Sequence, residues 1–302
     1  MPHDAIIIGG SYAGLSAAMQ LARAGRSVCV VDSDTPRNRF AAASHGFFGQ
    51  DGAAPRAMIA QAREKLLAYP NVHFVGGTAI HAHAIPDGFA VDLGMGETLQ
   101  AAKLVLAFGV VDELPDIPGL AGKWGKSVLH CPYCHGYEFK GRRLGALNVM
   151  EKSVHQALML PDWGPTTFFL NGGAMPDADT LGQLQHRNVA IEPARVVALE
   201  GTETELSGVR LEDGRVVALD AIFTGSRTRM ASPIAEQLGC AFEEGILGPV
   251  ILTDAMKMTT VPGVYAAGDI ARGMHNATFA SADGVMAGTS AHQALIFEPL
   301  AA

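Results

Sequence analysis

Cysteine is scarce in this chain. Cys29, Cys131, Cys134 and Cys240 are the four in 302 residues, too few and too scattered for a disulfide scaffold. Basic charge is scarce as well: 22 Lys and Arg stand against 30 Asp and Glu, the formal net charge is −8, and Lys and Arg form no block. Nucleic acid and an anionic membrane are therefore not expected as partners. No apolar run approaches the roughly 20 residues that a membrane-spanning helix needs. The start, MPHDAIIIGG, has no basic region ahead of its apolar stretch, so a signal peptide is not expected and a cytoplasmic protein is. What remains is ordinary globular composition, 48% hydrophobic and 17% charged, in a chain long enough for two domains.

Residues 5–18, AIIIGGSYAGLSAA, pass from a buried-strand pattern through a glycine turn into a helix of small residues. A second apolar strand, 27–31, ends at Asp32. An acidic side chain at that distance beyond a glycine turn is where a dinucleotide-binding fold holds a ribose. Gly9 and Gly14 fit the first and third positions of GxGxxG, and Ser11 stands at the second. Serine is small enough to let the backbone approach a pyrophosphate, and it brings a hydroxyl. Tyr12 and Ala13 complete the turn.

A later segment, VPGVYAAGDI at 261–270, ends in Gly268-Asp269 and leads into a helix-like stretch, 280–295. With the Asp32 unit it resembles the two-part FAD fingerprint of the pyridine-nucleotide-disulfide oxidoreductase superfamily. LVLAFG at 104–109 resembles the strand that closes the FAD domain in that family, with Phe108 in place of a threonine and Gly109 at its end. AIFTGSRTRM at 221–230 is similar to the return strand into that domain. Two FAD segments around a CxxC-bearing insert, in about 300 residues, resemble the low-molecular-weight thioredoxin reductases. CPYCHGYE, with His135 after the second cysteine, looks more like the flavin dithiol oxidases of gliotoxin and holomycin type and their bacterial relatives.

The resemblance implies an α/β fold of two Rossmann-like domains. The FAD domain, 1–112 and 245–302, is split around an inserted NAD(P)-type domain, 113–244, that carries the CxxC. It also implies a set of FAD contacts. Asp269 would reach the ribityl and phosphate region. Arg37, Asn38 and Arg39 would hold the adenosine and phosphate half. His45, Gly46, Gln50 and Asp51 would lie on the isoalloxazine side, with Asn276 and Ala277 opening the final helix at the flavin pyrimidine. Cys29 and Cys240 read as inert small hydrophobes. A homodimer is implied by analogy alone.

The inserted domain of such proteins carries a second glycine turn for NADPH. Here the corresponding stretch, RLGALNVMEKSVHQALML at 143–160, puts Asn148, Met150 and Ser153 at the three small-residue positions. FFLNGG at 168–173 stands where relatives carry arginines for the 2′-phosphate. Losing two charge-assisted hydrogen bonds of about 1.5–3 kcal/mol each removes some two to four decades of affinity. Tight NADPH binding in the usual pose is not expected.

Three readings of CPYC compete. Zinc needs four ligands, and no second cysteine pair accompanies this one. His81 and His83, on one face of the strand-like TAIHAHAIP, offer two more donors, but an exposed strand face explains them equally well, and no metal site is expected. A structural disulfide closing so short a loop restrains little unfolded-state entropy. Redox exchange remains: Pro132 favours a helix start directly after Cys131, where a thiolate is stabilised. From the resemblance, Cys131 would exchange with substrate, Cys134 would face the flavin, and His135 would serve as general acid or base. The function so implied is an FAD-dependent oxidoreductase acting between a small-molecule or protein dithiol or disulfide and the flavin, chiefly as a dithiol oxidase with oxygen as an acceptor. Alternatives are a disulfide reductase fed by NAD(P)H or ferredoxin, and a non-enzymatic FAD-binding redox sensor.

Overall fold

The computed structural model describes residues 2–297. These fall into two compact units, one made of residues 2–39, 55–111 and 228–297, the other of residues 40–54 and 112–227. The return to the first unit thus comes at 227/228 and not at 244, and the loop 40–54 groups with the second unit, where an uninterrupted segment 1–112 was expected.

The first unit opens with β1 (His3–Ile8), α1 (Tyr12–Arg23) and β2 (Val28–Asp32), the strand–turn–helix–strand read from the sequence. Then come α2 (Pro55–Leu67), β3 (Val72–Gly76), β4 (Ala79–Ile85), β5 (Gly88–Leu93) and β6 (Thr98–Leu106). β1, β2 and β3 pair in parallel, β6 pairs in parallel with the other side of β1, and the hairpin β4–β5 extends the sheet antiparallel from the first half of β6. Side chains alternate across the sheet, as strand geometry requires. Ile6 and Ile8 enter one cluster with Val31, Phe89 and Leu106, while Ala5 and Ile7 enter another with Leu21, Val30 and Tyr265. Both faces are covered, which is why these strands read as continuous apolar runs.

β7 (Val110–Glu113) leads into the second unit. Its elements are β8 (Val128–Leu129), α3 (Pro132–His135), β9 (Leu144–Leu147), α4 (Ser153–Met159), β10 (Thr166–Phe169), α5 (Ala178–His186) and β11 (Ala190–Glu192), then β12 (Val196–Gly201), β13 (Leu206–Leu211), β14 (Val216–Ala218) and β15 (Ala221–Thr224). A parallel sheet runs β11-β10-β9-β15-β8, and β12-β13-β14 form an antiparallel meander. β9 sits inside the sheet with strands added on both sides, the doubly wound arrangement expected of a nucleotide-binding-type domain.

β16 (Arg227–Met230), α6 (Ile234–Gln237), β17 (Phe242–Glu244), β18 (Pro249–Ile251), β19 (Val264–Ala266) and α7 (Ala277–Phe297) complete the first unit. β19 joins the second half of β6, register Val264 to Leu104, so the distant VYAA and LVLA segments lie side by side. α7 starts three residues earlier than the 280–295 pattern indicated, because Asn276 caps it: its carbonyl accepts from Ala280 N–H and its side chain from Thr278 N–H.

α1 and α7 cross with almost no side chain between them. A Cβ on Gly284 would lie 2.1 Å from the Ala13 carbonyl oxygen, and one on Gly288 would lie 2.4 Å from that of Ala17. Asp283, buried beside this contact, meets Lys257 Nζ at 2.8 Å and Arg272 Nε at 2.9 Å. Overpacking such a contact costs typically about 1–3 kcal/mol. Gly288→Ala should therefore lower unfolding stability by that amount in denaturant titration, and an unchanged midpoint would show that the helices have room to separate.

Candidate active site

The ends of β1, β6 and β19 converge because each strand's last backbone groups bond to the next. Ala107 N–H donates to the Ile8 carbonyl, and Ala267 N–H donates to the Leu106 carbonyl. This collects Gly9, Gly109 and Gly268 at the carboxyl edge of the sheet, where open α/β sheets bind their ligands. Gly9 (φ +115°) has the Ala107 carbonyl 2.2 Å from where a Cβ would be. Gly14 is equally constrained, its Cβ position lying against the Gly9 carbonyl oxygen. Ser11 is the N-cap of α1 but makes no side-chain cap, and the first turn holds no acidic residue. A helix start left in that state suits a phosphate.

Gly10, which the glycine pattern left as a wildcard, proves as constrained as its neighbours. Its N–H donates to Asp32 Oδ1 at 3.1 Å, and a Cβ would strike the Asp32 carboxylate at 2.7 Å. Asp32 is thus held at the turn by the backbone that precedes α1.

The two halves of the fingerprint meet although 232 positions separate them in sequence. Arg37 Nη1 donates to Asp269 Oδ2 at 2.9 Å and lies 2.6 Å from His275 Nδ1. Asn38 Nδ2 donates to the Tyr12 hydroxyl at 3.1 Å. Arg39 donates to the Pro36 carbonyl of its own loop at 3.0 Å. Asn276 and Ala277 stand at the opening of α7. The donors, the glycines and the uncapped helix start fit the diphosphate and ribityl groups of an FAD.

In the second unit Cys131 and Cys134 form a disulfide with Cα atoms 5.3 Å apart. Cys131 is the N-cap of α3 with Pro132 at the first helical position, and Cys134 N–H donates to Cys131 Sγ at 3.3 Å. Such a bond favours the thiolate once the pair is reduced. Gly136 closes the helix where any side chain would collide: its Cβ would lie 2.7 Å from the Trp163 ring. Tyr133 meets the same indole edge-on, with ring centroids 5.9 Å apart. Neither Gly136 nor Trp163 stands out in the sequence, since their contact joins two segments far apart.

His135 is partly buried, and that burial pushes its pKa below the ordinary imidazole value; Glu138 pulls it up and His45 pushes it down. Its neutral form is therefore favoured. His45 sits between two carboxylates, with Nε2 3.3 Å from Glu138 Oε1 and Nδ1 3.5 Å from Asp51 Oδ1. Asp51 Oδ1 also accepts from Gly46 N–H at 2.9 Å, and Gln50 N–H donates to the Phe47 carbonyl, so the loop is tied to itself. The structure thus joins His45 and Asp51 to Glu138, one turn beyond the cysteines. Glu138 went unremarked in the sequence, though its spacing of three from His135 was a usable signal. Cys29 and Cys240 are buried in the first unit; burial pushes the Cys29 thiol up to about 11 and raises that of Cys240 as well.

The second strand–turn–helix differs from the first in one decisive respect. Ser153, buried at the start of α4, accepts through Oγ from Val149 N–H at 3.1 Å and from Met150 N–H at 3.2 Å. The Met150 side chain lies over Gly225, its Sδ 2.7 Å from where a Cβ would be. Asn148 Nδ2 donates to the Leu170 carbonyl at 3.3 Å. A cavity of about 810 Å³ opens beside this turn, with Glu113 and Glu151 on its wall opposite a single lining cation, Arg227. The Asn171 side chain, where a phosphate-binding arginine was sought, accepts from Val196 N–H at 3.0 Å.

Residues 3–152 and 178–284 match the family model for pyridine nucleotide-disulphide oxidoreductases. The chain belongs to that family. It is an FAD-dependent oxidoreductase of thioredoxin reductase-like build. A thioredoxin reductase, tcpT, of Claviceps purpurea is 33% identical, with 97% of this chain and 94% of that protein covered. Thioredoxin reductase sirT of Leptosphaeria maculans is 31% identical over 95% of this chain and 92% of its own. The crystal structure of an oxidoreductase from Agrobacterium tumefaciens superposes with a TM-score of 0.94 at 47% identity, covering 99% of this chain and 100% of that one.

The hydroxyl of Ser153 holds two backbone donors at once. Ser153→Ala leaves both without it and should cost about 1–3 kcal/mol of stability, read as a lower midpoint in chemical unfolding. An unchanged midpoint would mean that the turn finds other partners.

Proposed function

We propose that this enzyme is a dithiol oxidase that draws electrons through Cys131 and Cys134 and uses NADPH poorly. The observation that carries the reading is Ser153, whose hydroxyl already takes the Val149 and Met150 N–H groups that a pyrophosphate would use. Met150 over Gly225 and the two carboxylates in the cavity oppose a dinucleotide phosphate in the same direction.

A substrate dithiol reaches the disulfide, and His135, kept neutral by its burial, takes the proton from one thiol. The thiolate attacks Cys131 Sγ, the Cys131–Cys134 bond breaks, and a mixed disulfide to Cys131 forms. Cys134 leaves as a thiolate. His135 passes its proton to solvent and takes that of the second substrate thiol, whose thiolate displaces Cys131, a sulfur received at the Cys134 N–H. The substrate departs as a disulfide, two electrons and two protons poorer, and the enzyme pair is left reduced. Bound FAD supplies a two-electron acceptor for that pair. Gly9, Ser11, Tyr12, Ala13, Gly14 and Asp32 would hold its adenosine and diphosphate half with Arg37 and Asn38. Gly109, Gly268, Asp269, Asn276 and Ala277 would hold its ribityl and ring half. We assign oxygen as the terminal acceptor and a homodimer in the cytoplasm as the working form.

The curated relatives named above are thioredoxin reductases, which favours a second reading in which the same disulfide passes electrons outward to a disulfide substrate.

Anaerobic stopped-flow bleaching of the flavin band by a small dithiol tests the first reading. Cys134→Ser should abolish bleaching while the protein stays yellow, and His135→Ala should slow it about 10²–10⁴-fold. Because the His135 pKa is lowered, the wild-type rate should hold through the ordinary histidine range near pH 6.5 and decline only below it. His135→Ala should lack that acid limb. Equal bleaching by wild type and Cys134→Ser would refute the route.

A further inference from the structure

His81 and His83 are two residues apart on β4 and project from one face. The register of the hairpin sets Asp92 of β5 directly opposite His81, so three metal-ligating side chains from two strands converge. Their donor atoms all lie within 4.8 Å of one another, and His81 Nδ1 is 3.3 Å from Asp92 Oδ2. Two ligand atoms held tetrahedrally at roughly 2.0–2.1 Å from one zinc ion are about 3.3–3.4 Å apart. That pair already has the spacing.

The next row of the sheet gives the cluster its second feature. Thr98 of β6 stands opposite Asp92, and its hydroxyl donates to Asp92 Oδ1 at 2.5 Å. One carboxylate oxygen is thereby anchored and the other is turned toward His81, the orienting contact that ligating carboxylates receive from a neighbouring hydrogen-bond donor. Opposite His83 the partner residue is Ala90. The rings of His81 and His83 are 5.3 Å apart, so the two imidazoles lie side by side on the strand.

β4 is the edge of its sheet, and its backbone is already tied down by α6. Gln237 Nε2 donates to the Ile80 carbonyl, and its Oε1 accepts from Ala82 N–H. The strand carrying both histidines is therefore fixed on its open side, while the histidines themselves remain exposed.

We propose that His81, His83 and Asp92 form a site for a divalent transition-metal ion, Zn²⁺ or its neighbours, with water completing the coordination. Two imidazoles and a carboxylate suit such ions better than Mg²⁺ or Ca²⁺, which favour all-oxygen sets. The site uses none of the groups engaged in thiol chemistry. A bound ion would staple the edge hairpin β4–β5 and stabilise the folded chain by mass action.

The test uses untagged, flavin-loaded protein with its disulfide oxidised, so that Cys131 and Cys134 bind no metal. Zn²⁺ is titrated in competition with a chromophoric chelator, and the melting temperature is followed with and without the ion. We expect one ion per chain and a rise in melting temperature. His83→Gln and Asp92→Asn should weaken binding at least about tenfold and remove the thermal shift, and Thr98→Val should weaken it by about 10–100-fold. All three positions are on the sheet surface, and the flavin spectrum and the metal-free melting temperature verify that each variant is folded. Mg²⁺ should produce no shift. Absence of a retained ion, or an affinity that the variants leave unchanged, overturns the proposal.

Discussion

Every backbone N–H at the turn between a strand and a helix needs a partner, and what supplies it decides what that turn can hold. The turns that lead into α1 and α4 resolve this in opposite ways. In the first turn Gly10 N–H is taken by the Asp32 side chain, and the N-cap Ser11 leaves the start of α1 without a side-chain cap. In the second, the Ser153 hydroxyl receives the Val149 and Met150 N–H groups. The first turn is prepared for an anionic ligand. The second has two of its donors taken by its own serine.

The first turn stays in place because of packing behind it. The glycines of α7 allow that helix to rest on the backbone of α1, and Asn276 caps its start. Hydrophobic burial on both faces of the sheet supplies the bulk of the stabilisation, while the small residues set the distances. The chemistry of the second unit depends on fewer atoms: Pro132 to start a helix, a Cys131 sulfur facing an N–H, and a glycine against Trp163 to end it.

Much of this was legible in the sequence because it is local. A glycine turn between an apolar strand and a small-residue helix, an acid at the end of the next strand, and Pro132 after Cys131 are signals carried within a few positions. The alignment of Asn148, Met150 and Ser153 with small-residue positions indicated that the second turn had changed. It did not indicate how, since the bond from a side-chain oxygen back to the preceding turn is a matter of three-dimensional register. Other features depend on contacts across long stretches of chain and leave no local trace. Arg37 meeting Asp269, Gly136 against Trp163, and the loop 40–54 grouping with the second unit are of this kind. The return strand read at 221–230 contains the 227/228 boundary, whereas the expected end of the insert at 244 does not coincide with it.

The central claim is that the second turn, filled by its own serine, no longer serves a nicotinamide dinucleotide. Anaerobic titration of the wild-type flavin absorbance with NADPH addresses it directly. The account predicts slow, non-saturating bleaching or none at NADPH concentrations where a conventional reductase is fully reduced. Rapid, saturable bleaching by NADPH in the lower part of the common KM range, about 1 μM upward, would contradict it.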